Sequence, residues 1–269
     1  MRDLAEMAGL AIGLDDDGLL VFGGEVVVDE HRERLVDALT PVVMEPEAAR
    51  GSGEIAYYMD NGVYCRADAE RLAGIPMRYE LTLIPPRSIG RECVKTFGHI
   101  HHKEPRSNLE WTEVVEVVTG TAHFLLQTLD LNGPDADRVY LIEAHPGEKV
   151  LLPPGFDHCT INPGDEPLLF SDVIALGVSG DYSRFVATRG AAYLEVAGGV
   201  GPELIVNPTY RHVALIQQVP LRDYPELRLA STEPLYTAFV ATRGELWPFL
   251  SDPRRFYPAF PDLKAVFTD

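Results

Sequence analysis

The chain of 269 residues carries 41 acidic against 23 basic side chains, for a formal net charge of −18. Hydrophobic residues at 46% and charged residues at 24% are the balance of an ordinary globular protein able to bury a real core. So acidic a chain repels phosphodiester backbones and anionic lipid, so neither nucleic acid nor membrane is expected as a partner, although local dipoles can still hold a small anion.

The opening segment, MRDLAEMAGLAIGLDDDG, places acids early and lacks a basic start followed by a long apolar run, so no signal peptide is expected. No run of about eighteen apolar residues follows either. Cys65, Cys93 and Cys159 are an odd number without close spacing, which reads as reduced thiols in a cytoplasmic protein, with Cys159 a free buried thiol.

LLVFGGEVVVDE predicts a hairpin around Gly23-Gly24, and HRERLVDALTPVV a short helix or turn. GSGEIAYYMDNGVY follows, with turn signals at Gly51–Gly53 and at Asn61-Gly62. From about residue 76 to 190 the texture is short strands at even spacing: MRYELTLI, ECVKTFGHI, EVVEVVTG, AHFLLQTLD, RVYLIEA, EKVLLPP, HCTINPG and PLLFSDVIAL. That pattern predicts an all-β sandwich or barrel. Beyond about 200, STEPLYTAFVATRGELWPFLSDPRRF carries helix signals, with Thr232 as N-cap, Pro234 near the first turn, and Gly244 and Pro253 as stops. Without repeats or a low-complexity linker, the expectation is one barrel with N-terminal strands over 1–198 and a partly helical extension over 199–269 packed on it.

His99 and His101 flank Ile100. On a strand, residues two apart share a face, so both imidazoles can address one point. In LEWTEVVEVVTG, counting by two puts Glu113 with Val115 and Val117 on the inward face, where a carboxylate must be paired or bound to a metal. Glu110 and Glu116 fall on the other face, and Glu116 is expected to be a solvent-facing charge. The run from Gly147 to Asn162 reads as a strand, a Pro-Gly turn, and re-entry into a strand at His158.

Together these segments resemble the two motifs of the cupin superfamily. Gly147, Pro153, Gly155, His158 and Asn162 fit the second; His99, His101 and the span from Glu113 to Gly120 fit the first. Eleven residues, HKEPRSNLEWT, separate His101 from Glu113 where the superfamily usually has three or four, and they read as an extended hairpin loop. Cys93 stands where the first motif usually begins with glycine. The implied fold is the double-stranded β-helix, or cupin jelly-roll barrel. The implied ligand set is His99, His101, Glu113 and His158 around one divalent ion per chain, with Fe, Mn, Zn and Ni all compatible.

The longer passages LTLIPPRSIGRECVKTFGHIHH, EVVEVVTGTAHFLLQT and VLLPPGFDHCTINPGDEPLLFSDV are similar to the cupin-type glucose-6-phosphate isomerase family best known from archaea. That resemblance implies an enzyme that interconverts an aldose and a ketose phosphate. It puts Thr82, Thr96 and Gly98 at the sugar phosphate, Tyr58 and Tyr182 against the substrate, and Glu113 in the roles of base and metal ligand. Where the family usually has tyrosine two residues after the glutamate, this chain has Val115. A metal-binding module without turnover and a cupin dioxygenase are the alternatives. A homodimer paired through edge strands is expected.

Overall fold

The computed structural model describes residues 1–129, 133–198 and 201–260. Nine strands build the barrel: β1 (Val26–Leu35), β2 (Ile55–Cys65), β3 (Met77–Ile84), β4 (Glu113–Thr119), β5 (Ala122–Leu129), β6 (Asp135–Ala144), β7 (Lys149–Leu152), β8 (Asp157–Ile161) and β9 (Leu168–Ala175). One sheet runs in the order β7-β4-β9-β3-β2-β1, and the facing sheet contains β8-β5-β6. The stretch between residues 94 and 101 joins the second sheet beside β8, through bridges Lys95–Ile161 and His99–His158.

From β3 onward, eight segments therefore form two four-stranded antiparallel layers, β7-β4-β9-β3 and 94–101-β8-β5-β6. This is the jelly-roll order of a cupin barrel. Phe124 of β5 meets Phe170 of β9 edge-to-face between the layers, with centroids 6.2 Å apart. Burying two such rings contributes roughly 2–3 kcal/mol each. The turn from β4 to β5 needs Gly120: its φ is 84°, and a Cβ there would sit 2.7 Å from the Pro167 carbonyl oxygen.

Three local expectations are corrected. The residues around Gly23-Gly24 do not form a hairpin: Leu20–Phe22 pairs with Ile12–Leu14, whereas β1 pairs with β2. The polar HRER segment lies inside β1, an edge strand whose outward positions favour charge, and only Asp37–Val42 forms a helical turn. Asn61-Gly62 does not turn the chain either. Gly62 takes a φ of 65° within β2, and the pairing with β1 keeps its register on both sides of it.

Beyond the barrel lie helix α1 (Ser183–Thr188) and, in the tail, helix α2 (Leu235–Thr242). Thr232 is not the cap of α2. Pro234 occupies that position without a side-chain bond, and the Glu116 carboxylate of β4 accepts from the Leu235 N–H at 2.8 Å. Pro253 follows the short helix Pro248–Ser251 by two residues. Leu235, Phe239, Trp247 and Phe249 belong to the same hydrophobic cluster as Tyr79, Val114 and Leu169 of the barrel. The expected boundary at 198/199 abuts residues 199–200, and the tail's last nine positions are 261–269; both stretches lie outside the described residues. Among the described residues no helix is long and apolar enough to cross a membrane.

Because the tail covers the outer face of β4 and β9, both faces of these strands are buried. Glu116 is therefore not solvent-facing. It points outward from the barrel, as counting by two requires, but it is 1% exposed and ion-paired with Lys149 at 2.7 Å.

Candidate active site

His99 and His158 face each other on neighbouring segments: the His99 N–H donates to the His158 carbonyl at 3.0 Å, and the His158 N–H returns the bond at 2.8 Å. This reciprocal pair sets the two rings side by side, with centroids 4.6 Å apart. The His101 ring lies 5.1 Å from His99 and 4.9 Å from His158. One ring nitrogen from each of the three histidines falls within 4.8 Å of the others. Glu113, the first residue of β4, brings Oε2 to 3.3 Å from Nε2 of His101 and 3.9 Å from Nε2 of His158.

The tautomers are fixed from behind. Nδ1 of His101 donates to the Trp111 carbonyl at 2.9 Å, and Nδ1 of His158 donates to the Phe156 carbonyl at 3.2 Å. Both Nε2 atoms are then left as acceptors, as a metal requires. The long insertion between His101 and Glu113 supplies one of these supports, since it ends on Trp111. It is a hairpin-like loop, closed by the Lys103–Glu110 bridge and braced by Glu104, which accepts from the Arg106 and Ser107 N–H groups.

Electrostatics favour the ligating forms. Burial, and then the neighbouring rings of His158 and His101, hold the His99 imidazole well below its ordinary value. Burial and then His101 push His158 down to about 4. Both rings are thus neutral at pH 7. Burial on its own would raise the Glu113 carboxyl, but the His101 side chain 3.3 Å away outweighs that and keeps it ionised. Three imidazole nitrogens and one carboxylate around a common point fit a divalent transition metal with open positions.

A cavity of about 510 Å³ opens beside these residues. Thr82, Thr96 and Tyr182 line it. The Tyr182 ring stands edge-on to Phe97 at 5.1 Å and lies 5.5 Å from His99. Tyr58 and Gly98 are not among the lining residues. On β2 the odd-numbered residues face inward, so Tyr57 lines the cavity, its hydroxyl accepting from the Phe97 N–H, while Tyr58 stacks on His31 at 6.1 Å. Gly98 is buried with a φ of 83° beneath the Phe185 ring of α1, where a Cβ would come within 2.3 Å of a ring carbon.

The cavity also contains Arg78, Glu80 and Asp172, which the sequence reading passed over. A signal for one of them was present: in LLFSDVIAL, Asp172 is the lone acid of its strand, on a face it shares with the apolar Phe170 and Ile174.

Residues 33–214 match the family model described as Glucose-6-phosphate isomerase. The chain belongs to the glucose-6-phosphate isomerase family. Curated members similar to it include the glucose-6-phosphate isomerases of Pyrococcus abyssi, 29% identical over 135 residues, and Thermococcus litoralis, 30% identical over 135 residues. Each match takes in 50% of this chain and 65% of the relative, so the chain spans just under two thirds of these family members' length. Among solved structures, a sugar phosphate isomerase of the cupin superfamily from Silicibacter pomeroyi is 15% identical, covering 56% of this chain and 76% of that one at a TM-score of 0.29. A cupin-2 domain from Rhodospirillum rubrum is 13% identical, covering 47% and 62% at a TM-score of 0.31. For this family member the strand order, rather than these likenesses, makes the barrel a jelly roll.

Proposed function

We propose that this family member interconverts glucose 6-phosphate and fructose 6-phosphate, or a closely related phosphosugar, with one divalent ion held by His99, His101, His158 and Glu113. The observation that carries this reading is the convergence of three imidazole nitrogens within 4.8 Å of one another at a cavity that also holds Thr82 and Thr96. Fe, Mn, Zn and Ni all suit that donor set. A bound ion supplies Lewis-acid stabilisation of the negative charge that develops on the sugar oxygens.

The chain's own residues do the rest. The Glu113 carboxylate, ionised and beside the ring cluster, takes the proton from C1 of the open-chain ketose and delivers it to C2, while the hydroxyl proton on the C1 oxygen passes to the oxygen on C2. Thr82 and Thr96 hold the phosphate by hydroxyl bonds, which spares an acidic protein a lysine cluster. Tyr182, 39% exposed at the mouth, covers the sugar from solvent. A second copy pairing along the free edge of β1 completes the proposal as a homodimer, to be read by light scattering after gel filtration.

A second reading, a sugar-phosphate binding module without turnover, is favoured by Val115, an apolar side chain 1% exposed at the position where the family usually places tyrosine. A coupled assay separates the two. Metal-loaded protein converts fructose 6-phosphate to glucose 6-phosphate on the isomerase reading, and Glu113→Gln abolishes this. Metal and sugar phosphate binding with no turnover selects the binding module.

A further inference from the structure

The inner face of the large sheet is a grid whose rows follow from strand register. Glu113 and Leu152 oppose each other in one row, which continues to Ile174 and Arg78. Two residues along, Val115 opposes Asp172, Asp172 opposes Glu80, and Glu80 opposes Asn61. Two further along, Val117 opposes Phe170, Phe170 opposes Thr82, and Thr82 opposes Met59. Successive rows lie roughly 6.6–6.8 Å apart along the strands. The row of Asp172 and Glu80 therefore runs between the row of the Glu113 carboxylate and the row of Thr82. Members of all three rows line the same cavity.

Asp172 is unusual within this grid. Its residue is 5% exposed, and its Oδ1 has no hydrogen-bond partner among the described residues. Its row neighbour Val115 and its strand neighbours Phe170 and Ile174 on the same face are apolar. Leaving such an oxygen unpaired costs stability, and the expense is recovered only when something polar enters the cavity. Glu80 takes the Nε–H of Arg78, and although the Arg78 charge offsets part of the cost, it makes no hydrogen bond to Oδ1 of Asp172.

Resting on the isomerase reading, we infer that Asp172, with Glu80 beside it, is the specificity-determining contact for the hydroxyl groups in the middle of the sugar chain. With the reacting carbons at Glu113 and the phosphate at Thr82 and Thr96, the hydroxyls between them face the row of Asp172. A carboxyl group there accepts from a hydroxyl. Burial, with the charges of Glu80 and then Glu113 adding to it and Arg78 opposing, raises the Asp172 carboxyl above the ordinary range, which makes it a stronger acceptor toward those hydroxyls. Asparagine keeps a carbonyl acceptor in the same place; valine removes it.

The test measures the Michaelis constant for fructose 6-phosphate, inhibition by inorganic phosphate, and bound metal, in metal-loaded wild type, Asp172→Val and Asp172→Asn. The expected result is a Michaelis constant raised about tenfold or more in Asp172→Val and within about threefold of wild type in Asp172→Asn. Phosphate inhibition and metal content should stay within about twofold in both. The thermal midpoint of Asp172→Val should equal or exceed that of wild type, because an unpartnered carboxyl has been replaced by an apolar strand former. An active wild type with an unchanged Michaelis constant in Asp172→Val overturns this inference and leaves the isomerase reading standing. So does a parallel loss of phosphate inhibition and metal, which marks Asp172 as merely structural. A wild type that neither binds nor converts fructose 6-phosphate overturns the isomerase reading, and this inference with it.

Discussion

The carboxylate of Glu116 accepts from the backbone N–H of Leu235, 119 positions further along the chain, at 2.8 Å. One barrel residue thereby stands in for the missing N-cap of a tail helix. The same carboxylate pairs with Lys149, whose ammonium also donates to the carbonyls of Gly147, Ala230 and Glu233. The tail is fastened to the barrel through a charge pair with both side chains 1% exposed.

Replacing Glu116 with alanine should therefore cost about 3–5 kcal/mol, because it strands the Lys149 charge in a buried site. Urea unfolding measures the loss. Hydrogen exchange should show the first amides of Leu235–Thr242 losing protection before the strands do. Turnover per folded molecule should be retained, since Glu116 lies on the opposite side of β4 from the cavity.

Alanine at His158 should weaken divalent metal binding by a hundredfold or more, read by calorimetric titration. The fold should survive, because the reciprocal bonds between residues 99 and 158 are made by backbone groups.

The metal-free protein should lose stability on acidification. His158 is held at about 4 when folded, against an ordinary 6.5, so the unfolded chain binds the extra proton between those values and the folded state does not. The urea midpoint should fall as pH drops through that window, and fall less in His158→Gln.

His123 should behave in the opposite sense. Burial opposes its charge, but the Glu195 carboxylate 2.7 Å away outweighs that and raises the ring above its ordinary value. This contribution is full below 6.5 and fades as pH rises through the raised value. The stability gap between wild type and His123→Gln should narrow accordingly.

Thiol labelling should be selective. Burial pushes Cys93 up to about 11 and Cys159 up to about 12, so at pH 8 both stay protonated and enclosed. Iodoacetamide followed by mass analysis should modify Cys65, which is half-buried, well before the other two.

Much of the barrel was legible because its strands follow a period of two and its turns carry glycine and proline: MRYELTLI is β3 residue for residue. The same counting placed Glu113 on the inner face and Glu116 on the outer. It failed on the fate of Glu116, because period alone reports which face a side chain takes and nothing about what later covers that face. Tyr58 illustrates a related limit. Two adjacent tyrosines cannot be told apart until cross-strand partners fix the phase of β2, and Met59 opposite Thr82 then selects Tyr57. Asp172 went unread because a lone acid in an apolar strand has meaning only once its neighbours across the sheet, Val115 and Glu80, are known.

Titrating divalent metal into chelator-treated protein while following fructose 6-phosphate turnover reads out whether His99, His101, Glu113 and His158 hold a catalytic ion. Activity should rise from near zero and saturate at one equivalent per chain, and Glu113→Gln should stay inactive at every metal level. Full turnover in rigorously metal-free protein, or in Glu113→Gln, would contradict that assignment.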